Sequence, residues 1–507
     1  SQITKDLPSH RVLALLRGRN EGVLKLDLDL PHDPDRPHPA PLAIMAGMGI
    51  AERGRAADGW LAETARQAWK QKLAGSLETD LIARLKERAD AEATGVFARN
   101  LKDLMLAAPA GARVTMGLDP GIRTGVKVAV VDATGKVLAT ETIYPHEPKL
   151  DWNGALIALA RLCRTHKVTL VGVGNGTASR ETEELLCELL SNEWKDQGLS
   201  YVTVNEAGAS VYSTSRLGRE ELPDCDAMQR GAVSIGRRLL DPLSELVKID
   251  PANIGVGLYQ HDVKAKHLRT SLDAVVESCV NFVGVDLNSA SPALLGYVSG
   301  LNQLTARRLF EHRMEHGPFR SREQLKEVPG IGEASFVQSA GFLKISDGEN
   351  PLDATWIHPE TYPVVQQLLT DLGGTVEDLA NPQRLSELVQ RAKESDLGEL
   401  AARLQMGTLL LNDVLAQLSR PGRDPREDLP PPVFKQGVAR FEDLEPGMEL
   451  SGAVLNVVDF GAFVDIGLHD SGLVHISQMA NRYVKDPHEV VAVGQNVKVW
   501  VLETDKN

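Results

Sequence analysis

The chain has 507 residues, 42% of them hydrophobic, and a net charge of -14 from 55 Lys and Arg against 69 Asp and Glu. That length exceeds one core and predicts roughly three to five domains, and the acidic balance excludes whole-surface attraction to phosphate, so any nucleic-acid site has to be local. No apolar run approaches the roughly 18 residues that cross a bilayer, and Gln2-Ile3-Thr4-Lys5 lacks the pattern of a signal peptide, so no membrane partner is expected. Cys163, Cys187, Cys225 and Cys279 stand apart without a Cys-x-x-Cys pair; they suit a reducing cytoplasm, and neither a zinc site nor any cofactor is expected. The first residue is Ser1 rather than Met, and the chain is expected to be a fragment.

Residues 1–110 read as a helical scaffold, truncated at its N-terminus. Arg11 to Asn20 is apolar with basic interruptions, Pro31 to Pro41 is a loop with five prolines, and Arg55 to Ala107 has helical spacing through Trp60, Leu61, Ala65, Ala68, Trp69, Leu77, Leu81 and Leu85. From residue 111 to 248 the period becomes that of strands, at Val114 to Leu118, Gly125 to Val131 and Val137 to Ile143. Helix Trp152 to Thr165, strand Leu170 to Gly174, helix Ser179 to Asn192, strand Tyr201 to Val204 and helix Met228 to Val247 follow. Three strands and then alternating helices and strands predict a ribonuclease H-like mixed sheet, within a multi-domain α+β chain. Residues 249–290 are expected to connect it to a tandem helix-hairpin-helix unit (291–346) and a helical region (347–420). A Pro-rich, semi-rigid linker (421–440) and an OB-type barrel (441–507) complete the chain.

Asp119-Pro120-Gly121 ends the first strand with an acid before a turn, and this resembles the opening of the Holliday-junction resolvase and YqgF superfamily. Such nucleases need three or four carboxylates, because two divalent ions clamp the attacking and leaving oxygens. Glu206 follows the fifth strand, and Asp224 or Asp226 precedes the last helix, but Asn175 is neutral at the end of the fourth strand. Asp119, Glu206 and Asp226 are therefore vestigial candidates, with no catalytic residue and no metal assigned. The plain alternative makes Asp119 a turn residue and Asp226 a helix cap. Gly174 to Glu181 forms a glycine-rich turn into a helix, whose backbone N–H groups could hold an anion.

Gly330-Ile331-Gly332, after Val328-Pro329, resembles a helix-hairpin-helix turn, in which glycines aim N–H groups at one phosphate. Gly300-Leu301-Asn302 is a second copy with Asn302 in place of glycine. Residues 290–345 hold seven Lys or Arg against five Glu, a mild positive balance. Tandem hairpins of this type grip the backbone without reading bases, which predicts weak sequence preference.

The run Gly452 to Gly467, with its Asp459-Phe460-Gly461 corner, and Gly472-Leu473-Val474-His475 resemble an S1 RNA-binding domain. That resemblance places Phe460, Phe463 and His475 on a platform where single-stranded bases stack; the plain alternative is that both phenylalanines fill a small barrel core. Residues 441–507 carry eleven acids and four bases, so stacking has to contribute more than phosphate attraction.

Asp226-Ala227-Met228-Gln229-Arg230-Gly231 through Leu239, Lys248-Ile249-Asp250-Pro251, Ile254-Gly255-Val256-Gly257 and Tyr259-Gln260-His261-Asp262-Val263 are similar to the Tex family of bacterial transcription accessory proteins. The resemblance extends over the whole chain. It implies a helical N-terminal region, a YqgF-like domain regarded as lacking nuclease activity, tandem hairpins and a C-terminal S1 domain. It also implies nucleic-acid binding linked to transcription, and kinship with a eukaryotic elongation factor that handles histones. Two departures are expected: an N-terminal helical domain is absent, and the barrel stops at Asn507 after a fourth strand, Val497 to Glu503, without its basic fifth strand. The function expected is a scaffold of little sequence specificity for single-stranded RNA, with DNA a second partner, near the transcription machinery. A divalent-metal nuclease using Asp119, Glu206 and Asp226 is the competing reading, and helical faces that dock a protein are a third.

Overall fold

The computed structural model describes residues 4–504 apart from 5–6, 34, 52, 194–198, 258, 421, 423, 429–443, 445 and 467–470. Two compact units divide the chain: Ser1–Phe97 with Gly257–Leu268, and Ala98–Val256 with Arg269–Asn507.

The first unit is helical. Helices Ser9–Asn20, Pro39–Gly47 and Asp58–Ala68 lead through a π-helical turn, Trp69–Leu73, into the long helix Ala74–Met105. Val12, Leu13, Leu16 and Ala89 form its core, with Ile82, Leu85 and Tyr259 packed against them. Asp262 pins the returning segment, pairing with Arg17 and accepting at its carbonyl from Lys86 at 2.9 Å. The helical period expected here is present, but its apolar side is not wholly buried: Trp60 is 69% exposed, and Leu77 and Leu81 are exposed as well. Periodicity reports a helix whether or not anything covers it.

In the second unit, β1 (Thr115–Asp119), β2 (Val126–Val131), β3 (Val137–Ile143), β4 (Leu170–Gly174) and β5 (Ser200–Val204) form one sheet in the order β3-β2-β1-β4-β5. β1 runs antiparallel to β2 and parallel to β4, giving the mixed sheet expected of a ribonuclease H-like domain. Helices Trp152–His166 and Ser179–Glu193 supply Leu159, Leu162, Leu185 and Leu189 to the core on one face. Helix Ala227–Leu240 covers the other face through Ala232, Val233, Ile235 and Leu239. It lies almost on the backbone of β1, since a Cβ on Gly117 would fall 2.1 Å from the Ala232 carbonyl oxygen. The single helix expected from Met228 to Val247 is two, Ala227–Leu240 and Pro242–Leu246, because Pro242 cannot continue the first and Asp241 caps the second.

Residues 249–290 are more than a connector, since they hold the 19-residue helix Ala265–Val283. Beyond it, β6 (Val285–Asp286) and β7 (Leu343–Lys344) pair in parallel around the hairpin helices. Helices Tyr362–Asp371, Pro382–Glu394, Leu397–Arg403 and Thr408–Ser419 close over a separate leucine-rich core. The start of the expected linker is also fixed: Arg426, 3% exposed, bonds Asp424 and reaches Asp241 at 2.7 Å. The Pro430-Pro431-Pro432 run lies outside the described residues.

The C-terminal strands β8 (Glu449–Val458), β9 (Gly461–Asp465), β10 (Gly472–His475) and β11 (Asn496–Trp500) form an antiparallel sheet ordered β10-β9-β8-β11. Val454, Val457, Ala462, Val464 and Val493 make its core. The strand expected from Val497 to Glu503 is β11, shifted one residue earlier and shorter, and the sheet is open rather than a closed barrel among the described residues.

Candidate nucleic-acid interface and the acidic centre

At the end of β1, Asp119 stands opposite Lys127 of β2 in the strand register. Burial pushes the Asp119 carboxyl up, with the Lys127 charge pulling against it. Glu206 rises through burial and then through the charge of Asp119, while the Gly176 N–H and Arg238 oppose the rise. These two acids therefore share one electrostatic neighbourhood. Asp226 is used differently: its carboxylate accepts from Gln229 N–H at 2.7 Å, and Gln229 returns a bond to the Asp226 backbone, a complete capping box. Asn175 joins the ends of β4 and β5, accepting from Glu206 N–H at 3.0 Å. Asp224 is exposed.

These residues fit a pair of divalent ions poorly. One feature favours an ion, since Glu206 Oε2 is buried without a hydrogen-bond partner. Against it stands Lys127, 5% exposed, whose ammonium donates to Thr124 and to the Gly125 carbonyl, 2.9 Å away, and feels the charges of both Asp119 and Asp226. A fixed cation inside the acidic cluster repels a second one. The glycine turn after β4 is occupied as well, because a Cβ on Gly176 would lie 1.8 Å from Glu206 Oε1. The backbone that could have held an external anion faces an internal carboxylate.

The two hairpins are geometric copies. Leu301 N–H bonds Val298 O at 3.0 Å, as Ile331 N–H bonds Val328 O at 3.1 Å, and Gly300 and Gly330 take φ of 83° and 94°. Each turn packs on the other hairpin: a Cβ on Gly300 would meet Gln338 at 2.6 Å, and one on Gly330 would meet Arg308 at 2.7 Å. Asn302 caps helix Gln303–His316, accepting from Leu304 and Thr305 N–H at 3.0 Å, so those donors are already satisfied. Gly332, exposed, begins helix Glu333–Ser339 with no side-chain cap. The positive balance counted in this region is largely internal. Arg322 is buried against three carbonyls, Arg313 bonds Leu287 O and Ala290 O, Lys344 is buried, and Lys326 pairs with Glu323 and Glu333.

On the C-terminal sheet, Ala462 and Val464 face the core with Val474 beside them. Alternation then places Phe463 and its register partner Leu473, together with His475, on the opposite face. Leu473 is 49% exposed and His475 is exposed, its Nδ1 held by Ser477. Phe460 meets Phe463 edge-on with ring centres 6.2 Å apart. On β11, Val497 and Val499 pack inward, so Lys498 and the exposed Trp500 share the outer face. Helix residues just beyond residue 97 dock this sheet. Asn100, fully buried, donates to Val256 O at 3.0 Å and Val457 O at 3.1 Å, bonds Asn456, and meets His488 Nε2 at 3.1 Å.

Family models match in the same chain order: the Tex central region-like model over residues 1–97, the Tex protein YqgF-like domain over 113–240, a helix-hairpin-helix motif over 280–344, an HHH domain over 350–426 and an S1 RNA binding domain over 443–507. The Bacillus subtilis protein YdcI is 45% identical over 99% of this chain and 68% of its own length. "Protein tex" of Bordetella pertussis is 51% identical over 99% of this chain and 63% of its length, and "Transcriptional accessory protein Tex" of Neisseria gonorrhoeae 51% over 99% and 64%. The chain belongs to the Tex family. It spans about 63% of the length of the first of these Tex relatives. A solved structure, "T. thermophilus RuvC in complex with Holliday junction substrate", aligns with 27% of this chain and 95% of its own at 16% identity and a TM-score of 0.21.

Within this Tex chain, sequence reasoning missed Lys127, Leu473, Trp500 and Asn100. Lys127 was readable only as a strand residue, because its position opposite Asp119 depends on the register. Trp500 carried a signal, an aromatic two residues beyond Lys498 on a strand of alternating valines.

Proposed function

We propose that this chain is a nucleic-acid-binding transcription accessory scaffold, taking single-stranded RNA first and DNA second with little sequence preference, and that its nuclease-like YqgF domain is non-catalytic. One observation carries the RNA reading: Phe463, Leu473 and His475 share the solvent-facing side of the C-terminal sheet, where flat and apolar groups can stack on unpaired bases. Phe460 borders that platform, while Trp500 lies on the same face of the sheet seven residues away along β8. Gly300, Gly330 and Gly332 supply the backbone grip, with Asn302 positioning a helix instead of touching phosphate. The non-catalytic reading is supported by Lys127 inside the acidic cluster and by Asp226 acting as a cap. Association with the transcription machinery follows from the name carried by the Neisseria gonorrhoeae relative, and the free thiols suit a cytoplasmic location.

Fluorescence anisotropy with labelled single-stranded RNA, single-stranded DNA and duplex DNA at several salt concentrations tests this. Replacing Phe460, Phe463 and His475 together with alanine is expected to weaken RNA binding by about tenfold or more, given roughly 1–3 kcal/mol per stacked base. Unchanged affinity would overturn the stacking assignment. Cleavage of labelled substrates in magnesium or manganese, abolished by Asp119→Asn, would overturn the non-catalytic reading.

A further inference from the structure

In the first unit, one ring nitrogen of His32, one of His38 and a carboxylate oxygen of Asp29 all lie within 4.8 Å of one another. We propose that these three residues form a binding site for a zinc-class divalent ion, which staples the proline-rich loop to the start of helix Pro39–Gly47. The set is two imidazoles and one carboxylate, which favours zinc, cobalt or nickel over the all-oxygen preference of magnesium or calcium. Ligands at about 2.1 Å from a tetrahedral ion stand about 3.4 Å apart, so the groups need to close by only about an ångström.

The side chains are already held in this arrangement. His38 Nε2 donates to Asp29 Oδ1 at 3.0 Å, and His32 Nδ1 lies 3.7 Å from Asp29 Oδ2 and 2.9 Å from the Leu30 carbonyl. The two rings meet edge-on at 4.7 Å, and His38 is backed by Trp69 at 5.5 Å. Leu30 N–H donates to Asp29 Oδ1 at 2.8 Å, fixing the carboxylate. Pro31, Pro37 and Pro39 lie between or beside the ligands and limit how far the loop can rearrange.

His38 has a second duty. Its Nδ1 accepts from Ala40 N–H at 3.2 Å and caps helix Pro39–Gly47. In that state the proton sits on Nε2, so binding an ion there requires the proton to move to Nδ1 and the Ala40 bond to be given up. One capping bond is a small loss beside the coordinate bonds gained. The expectation of no metal site rested on cysteine spacing, which says nothing of a His–Asp set inside a loop.

The test is titration of EDTA-stripped full chain with ZnCl2 by calorimetry, and with CoCl2 followed by visible absorption, in which inner-sphere cobalt gives d–d bands. One site with a Kd at or below the micromolar range is expected, with no heat from MgCl2. His32→Ala and Asp29→Ala should each weaken it more than about tenfold. His38→Asn keeps an oxygen to cap Ala40, so it should abolish the cobalt bands without unfolding the helix, as circular dichroism will report. Absence of saturable zinc binding by the parent chain, or a site unaffected by all three substitutions, overturns the proposal.

Discussion

Glu206 is where the chemistry of the YqgF-like centre can be weighed at a single residue. Its carboxyl is pushed above the ordinary carboxylate range by burial and by Asp119, so the folded chain holds that proton more tightly than the unfolded chain does. For an acid with a raised pKa, stability is highest when the group is protonated. It falls as pH rises from the ordinary value near about 4.3 through the raised one. Glu206→Gln removes the ionisation and should therefore raise the thermal midpoint at pH 7, with the gain shrinking toward zero below about pH 4. Gln can still accept the Gly176 N–H bond, so a lower midpoint at pH 7 would mean that Glu206 is held as an anion by Arg238 and Gly176. Asn175 was legible as a missing ligand because its position at the end of β4 follows from chain order. Lys127 was not, because burial beside Asp119 arises from pairing between strands.

The elements themselves were largely readable, and their faces were not. All five strands of the mixed sheet were anticipated within a few residues from period and turn signals, since local sterics set them. Where Trp60 and Leu77 point, or that Arg322 lies buried under Tyr362 and three carbonyls, depends on distant chain. The mild positive balance of the hairpin region therefore includes Arg322, Arg313 and Lys344, which hold the hairpins together. Helix Ala227–Leu240 approaches the backbone of β1 closely at Gly117. Gly117→Ala forces the Cβ against the Ala232 carbonyl and Gly236 N, and neither can move without shifting the helix. It should destabilise this domain by about 3 kcal/mol, at the upper end of overpacking. Gly95→Ala, with nothing within 4 Å of its Cβ and a place inside a helix, should be neutral or stabilising by about 0.5–1 kcal/mol. Urea unfolding of the two variants checks the contrast, and similar effects from both would refute the close-packing account.

Across the second unit, the S1 sheet is fixed to residues far away in sequence. Asn100 bonds Val256, Asn456 and Val457 and meets His488; Asp103 accepts from Val493 N–H at 3.3 Å, and Arg99 stands 3.6 Å from Asp486. The hydrogen bonds of Asn100 in this joint are buried, which makes its geometry specific. The bulge between Val454 and Asn456 lies at the joint, and Asn456 is the register partner of Phe463. Docking thus uses the strand neighbour of a residue proposed to stack on bases. Truncation in Asn100→Ala leaves two carbonyls and the His488 ring without their partner, a loss of about 2 kcal/mol for the joint. The Val493 amide should then exchange with solvent roughly thirtyfold faster, while amides of β4 stay as protected as before, because the opening is local. His488 adds a pH dependence. Burial first, and then Arg99, lower its pKa, with Asp486 and Asp103 opposing. The folded joint therefore prefers neutral imidazole, and the stability it contributes is full above about pH 6.5 and declines as pH falls below it. Asp103, raised by burial, works the other way in the carboxylate range, so Val493 exchange, corrected for its intrinsic pH dependence, should accelerate on acidification from pH 7.5 toward 6. If Asn100→Ala left Val493 protection intact, Asn100 would be a bystander in the joint, and the S1 sheet would be held by other contacts.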